Sequence, residues 1–159
     1  MDRRKIEQMT RALRVYDETI ATWEALREGF LHEGRAAIQP HPTAALIRQL
    51  AEERLLERAF LALSDAAILT IEWLIHRDVG SYEEMVDILE LEEAIHTEEG
   101  RAMRLLVQHY RALTRDYLQT YASDPPVHNT FENLSLPSLA RLSALLRTFW
   151  LKEGVPLDG

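Results

Sequence analysis

AFLALSDAAILTIEWLI, residues 59–75, is the stretch on which the fold of this chain turns. Only Ser64, Asp65, Thr70 and Glu72 in it are clearly polar. Leu56, Phe60, Leu63, Ala67, Ile71 and Leu74 recur every three or four residues, the period of a helix. A second apolar set, Leu61, Ala62, Ala66, Ile68, Leu69, Trp73 and Ile75, covers most of the remaining circumference. A helix apolar nearly all round must be covered on more than one side. Asp65 and Glu72 interrupt it, and it falls short of the ~20 apolar residues that cross a bilayer. It reads as the central helix of a bundle, with apolar surface to spare for a partner subunit.

Working outward, this helix starts at Pro42 or Thr43 and is expected to run to about Asp78. Before it lies a helix from Arg3 to Phe30, whose stripe is Ile6, Met9, Leu13, Tyr16, Ile20, Trp23, Leu26 and Phe30. Gly34, Pro40 and Pro42 mark residues 33–42 as the break between the two. After it, Gly80 reads as the helix stop. Ser81 with Glu84 three residues on reads as a capping box for a short helix to Leu91. Thr97, followed by Glu98 and Glu99, reads as the cap of a fourth helix reaching Tyr121. Its core stripe is Met103, Leu106, Val107, Tyr110, Leu113, Tyr117 and Tyr121. SDPPVHNTFENLS, residues 123–135, is a loop, and a last helix from Pro137 to Lys152 carries Leu139, Leu142, Leu146 and Phe149. The fold class is all-α: an antiparallel, up-and-down bundle of four to five helices in one domain, residues 1–159, with a loose tail at 154–159.

Composition limits what such a bundle can do. A net charge of −8 gives no general attraction for nucleic acid or an anionic membrane. With no cysteine there are no disulfides, thiolate metal sites or cysteine nucleophiles. A di-iron carboxylate site needs two Glu-x-x-His pairs, and only Glu93 with His96 is present. No metal or cofactor is expected. The first residues, MDRRKIEQ, lack the apolar core of a secretion signal, so the expected location is the cytoplasm.

Two features carry possible chemistry. Asp65 is a carboxylate amid apolar residues, and such groups need partners or a shifted pKa. It is expected to face a water-filled groove or to pair with a neighbouring arginine. Arg101, Arg104, Gln108, Arg111 and Arg115 follow at spacings of three and four, so they form one row away from the core stripe. The row can grip phosphates. It can equally pair with Asp65 or with glutamates of the second helix, or stand in solvent.

From about Glu53 to Tyr110 the chain resembles the HepT-like family of the HEPN superfamily. The resemblance rests on HRDVGSYEEMVDIL at residues 76–89, LVQHY at 106–110 and the opening MDRRKIEQ. The family signature is arginine, four residues, histidine, one residue, tyrosine. Aligned on the Leu-Val and the tyrosine, Met103 stands where the arginine belongs and Gln108 where the histidine belongs, and Tyr110 matches. A second frame pairs Arg104 with His109 but puts Arg111 at the tyrosine.

The resemblance implies a homodimer whose cleft binds, and in active members cleaves, RNA without metal. It also implies a nucleotidyltransferase antitoxin that modifies the tyrosine with AMP. Gln108, His109 and Arg104 are then the catalytic candidates, and Tyr110 the AMP acceptor. Asp65, Met103, Arg101, Arg111 and Arg115 are the cleft candidates. Phosphodiester cleavage wants a group that titrates near neutrality and a cation for the developing charge; glutamine and methionine supply neither. Two other readings therefore stand beside a toxin-type ribonuclease. One is a catalytically inactive interaction module of the same family, and the other a small-ligand or nucleotide-binding bundle.

Overall fold

The computed structural model describes residues 2–36, 42–115 and 131–157. Five helices account for most of them: α1 (Arg3–Ala36), α2 (Pro42–Thr70), α3 (Tyr82–Leu91), α4 (Thr97–Arg115) and α5 (Leu136–Lys152). A π-helical turn, Ile71–Ile75, continues α2. The architecture is an all-α bundle. α2 is its hub, packed along α1 and touching α3, α4 and α5.

The apolar periods account for this packing. From α1, Met9, Leu13, Tyr16, Ile20 and Trp23 are buried; from α2, Leu56, Ala59, Phe60, Leu63, Ala66 and Ala67 meet them. α5 adds Leu139, Leu142, Leu146, Phe149 and Trp150. Polar atoms that enter the core are matched. Tyr16 donates its hydroxyl to the Leu139 carbonyl at 2.7 Å, and the Trp150 indole donates to Thr70 Oγ1 at 2.8 Å. Glu52 accepts from both Trp23 and Arg27 at 3.1 Å, and Arg27 reaches the Phe131 carbonyl at 2.9 Å. These contacts tie α1 to α2 and to the turn before α5. A buried donor or acceptor left without such a partner costs ~1–3 kcal/mol.

Several boundaries differ from expectation. α1 runs on through Gly34 to Ala36, because an interior glycine lowers helix propensity by only ~1 kcal/mol and leaves the hydrogen-bond ladder intact. The surroundings of Phe30 lie outside the described residues. α2 ends at the π turn rather than at Asp78, and His76, not Gly80, takes the left-handed conformation at φ 58°. The Gly80 N–H instead donates to the Glu84 carboxylate at 2.8 Å, while the Ser81 hydroxyl accepts from the Glu84 N–H at 3.1 Å. The first bond of α4 runs from the Gly100 N–H to the His96 carbonyl, so Thr97, expected as the cap, is the first helical residue and His96 takes the cap position. The expected run of α4 to Tyr121, with Tyr117 and Tyr121, lies outside the described residues.

The chain after α5 is not loose up to residue 157. Gly154 adopts φ 80°, and the Gly154 and Val155 N–H groups donate to the Leu151 and Trp150 carbonyls at 3.1 and 2.9 Å. This double closure, with Val155 buried, is a Schellman cap. It pins the segment back on the bundle.

Candidate functional site

α4 presents three faces, and its chemistry-bearing residues are divided among them. Met103 lies on the core face and is 1% exposed, beside Ala102, Leu106 and Val107. Tyr110, further along that stripe, is half-buried. Its ring stacks on Phe60 with centroids 3.8 Å apart, and Tyr82 meets Phe60 edge-on at 4.8 Å. Burial, reinforced by Tyr82 and Glu57, raises the Tyr110 phenol above its ordinary pKa.

The second face looks at α3. Arg104 donates through Nη1 to Glu90 at 2.7 Å, and through Nη2 to Glu90 at 3.0 Å and Asp87 at 2.7 Å. Two turns further on, Arg111 donates to Glu83 at 2.8 Å. The two carboxylates push the Arg104 pKa upward, so it is a permanent cation. Arg101, Gln108 and Arg115, in the same row, are exposed. The arginine row thus finds its acids on α3, not on Asp65 or on α2. Glu83, Asp87 and Glu90 recur at spacings of four and three, so a complementary acidic row was readable beside the basic one.

The third face carries His109. Its Nε2 lies 2.7 Å from Asn133 Oδ1, and its ring meets Phe131 edge-on at 5.2 Å. Arg104 and His109 therefore engage different elements, α3 and the turn before α5. The spacing that pairs them along the sequence does not pair them in space. Near the start of α4, Glu99 accepts from Arg141 at 2.9 Å. That hydrogen bond holds its carboxyl below the ordinary glutamate range.

Asp65 stands elsewhere. It lines an open groove of ≈ 730 Å³ between α1 and α2, floored by Ala12, Val15, Leu61, Ala62, Ile68 and Leu69. Lys5, Arg11, Arg54 and Arg58 supply cations along it. Arg54 is held by Glu57 at 2.6 Å, and Lys5 sits over the Trp73 ring. Asp65 forms no ion pair among the described residues, and partial burial pushes its carboxyl above the ordinary aspartate value. The groove expectation for Asp65 holds, whereas its pairing with an arginine does not. The groove's cations were not among the sequence candidates, although Arg54 and Arg58 share a helix line with Leu61 and Asp65. Among the described residues no cluster of three or more His, Asp or Glu is placed to hold a metal ion.

These features define a class: an all-α bundle with one ion-paired polar face, between α3 and α4, and one open groove, between α1 and α2. Among solved structures, the chain is similar to that of YutE, a cytosolic protein of unknown function from Bacillus subtilis. The two share 22% identity with a TM-score of 0.70, over 99% of this chain and 96% of the other. At that identity the likeness establishes the fold. No family model matches the sequence, and no curated protein matches it. Among the described residues, no helix is long and apolar enough to cross a membrane.

Proposed function

We propose that this chain is a catalytically silent HepT-like protein of the cytoplasm, a helical module that binds rather than cuts. In this reading it forms a homodimer and is held by a nucleotidyltransferase partner. In this reading the chain keeps the family's helical architecture and not its nuclease chemistry.

The observation that carries the reading is the dispersal of the candidate catalytic groups. Metal-free phosphodiester cleavage needs a proton-transfer group and a cation aimed at one phosphate. Here Met103 faces the core, Arg104 is saturated by Glu90 and Asp87, and His109 turns to Asn133. Gln108, left exposed, does not titrate near neutrality. Arg104 and His109 engage different elements and do not converge on a common point.

The test is RNA cleavage by the purified chain in chelator-containing buffer, beside a His109→Ala variant. No cleavage by either is expected. Cleavage by the natural chain that disappears in His109→Ala overturns the silent reading and restores the nuclease. The small-ligand reading with Asp65 and the arginine row at one site is favoured less: Asp65 lines the α1–α2 groove, and Arg104 and Arg111 of the row pair with acids of α3.

A further inference from the structure

The α1–α2 groove is a basic strip on an acidic protein. The whole chain carries a net charge of −8, yet four cations line this groove against one carboxylate, Asp65. Arg11 and Arg58 are exposed and make no ion pair among the described residues. The Lys5 ammonium sits 4.8 Å above the Trp73 ring and meets no carboxylate among them. Only Arg54 is paired, with Glu57, and a pair so exposed holds its arginine weakly.

These cations are strung along the groove, not gathered at one end. Trp23 bonds to Glu52 while Lys5 lies against Trp73, so α1 and α2 run antiparallel. Lys5 and Arg11 stand on the α1 wall, Arg58 and Arg54 on the α2 wall. From Arg54 to Leu69, α2 covers about 22 Å. Between the walls the floor is apolar, and Leu61 stays 44% exposed in its middle.

That form selects among occupants. A second copy laid groove to groove sets cations against cations. A fatty acid has one charged head and answers the cations at one end alone. A phosphate backbone answers the cations and leaves the apolar floor wet. A helix of about 15 residues, with one apolar stripe and acids on both flanks, answers floor and walls together. Its charge is complementary to the groove at every lining cation and opposed only at Asp65.

We propose that the α1–α2 groove docks an acidic amphipathic helix of a different protein, with its apolar stripe over Leu61 and its carboxylates on Arg11 and Arg58. The site lies on helices that carry none of the candidate catalytic residues, so it stands whether or not the chain cleaves RNA.

The experiment is fluorescence anisotropy of the full chain with a labelled, stapled peptide of about 15 residues, its leucine stripe flanked by glutamates. Binding with a Kd below ~100 μM is expected. Arg11→Glu and Arg58→Glu each weaken it at least ~fivefold, and Asp65→Asn tightens it ~twofold. All three positions are exposed, so the variants keep their helical circular dichroism. The same peptide with lysine flanks, or with serines in place of its leucines, does not bind. No binding of the glutamate peptide at ~100 μM overturns the proposal, and so does binding that all three variants leave unchanged. A short RNA or dodecanoate that binds more tightly than the peptide, and is lost in Arg11→Glu and Arg58→Glu, gives the groove to nucleic acid or lipid and overturns it equally.

Discussion

Arg104→Ala distinguishes a structural cation from a catalytic one. The guanidinium forks onto both oxygens of Glu90, at 2.7 and 3.0 Å, and reaches Asp87 at 2.7 Å. Charge-assisted hydrogen bonds in sheltered sites contribute ~1.5–3 kcal/mol, but exposed ion pairs contribute ~0–1 kcal/mol. Asp87, 65% exposed, belongs to the second kind. Glu90, 25% exposed against an arginine 35% exposed, lies between them. Assigning a few tenths to Asp87 and ~1 kcal/mol to the Glu90 fork, Arg104→Ala costs about 1–2 kcal/mol. In a chain of this size that is a Tm drop of roughly 3–6 °C. Urea unfolding of Arg104→Ala, Glu90→Ala and the double variant closes a thermodynamic cycle, whose expected coupling is ~0.5–1 kcal/mol, smaller in 0.5 M salt.

Gly100 offers a second handle on the same contact. A Cβ there would stand 1.7 Å from Glu90 Oε1. Gly100→Ala in a helix interior ordinarily gains ~1 kcal/mol; here it expels Glu90 from Arg104, and the gain is cancelled. Coupling below ~0.2 kcal/mol between Arg104 and Glu90 refutes the structural assignment. So does a full stabilisation by Gly100→Ala. Either outcome returns Arg104 to the pool of free cations.

Two further perturbations probe the same helix. Met103→Arg, which restores the family's arginine in the frame that keeps Tyr110, drives a cation into a site 1% exposed; it should cost ~3–5 kcal/mol in chemical denaturation. A loss under ~1 kcal/mol would mean that the site opens to a cleft after all. Glu99→Gln should destabilise the chain by ~1–3 kcal/mol at neutral pH, since it discards the charge on the Arg141 bond. A depressed carboxyl stabilises above its unfolded-state pKa, and that stabilisation disappears as pH falls through the folded value. Melting curves of the two proteins should therefore converge in acid; a gap that is constant with pH refutes the ion-pair assignment.

Much of the fold was legible because helical period is a local property. The α1 stripe from Met9 to Trp23 and the α4 stripe from Met103 to Val107 are buried as their spacing predicts. What escaped was register inside α2. A helix apolar all round gives no cue to where its ladder changes, so the π turn at Ile71–Ile75 and the left-handed His76 left no trace in the pattern. The Schellman cap was different: Gly154 followed by Val155 is a readable signal, but a chain end invites the reading of a loose tail.

The candidate site was legible only in part, for a related reason. Spacing puts residues on one face of a helix but does not say what that face meets. Arg104 and Arg111 were correctly placed in a row, and their function as cations was decided by α3, whose acids at 83, 87 and 90 oppose them. The same logic runs the other way for α2. Its outer line leaves Ile47, Leu50 and Leu61 exposed, while Ile68 packs against the core, and the same line carries Arg58 and Asp65. Arg104 and Arg111, held by acids of α3, are not free to grip a ligand. Asp65 on α2 has no ion pair among the described residues, so two rows of similar spacing differ in what the rest of the fold sets against them, and spacing alone does not carry that difference.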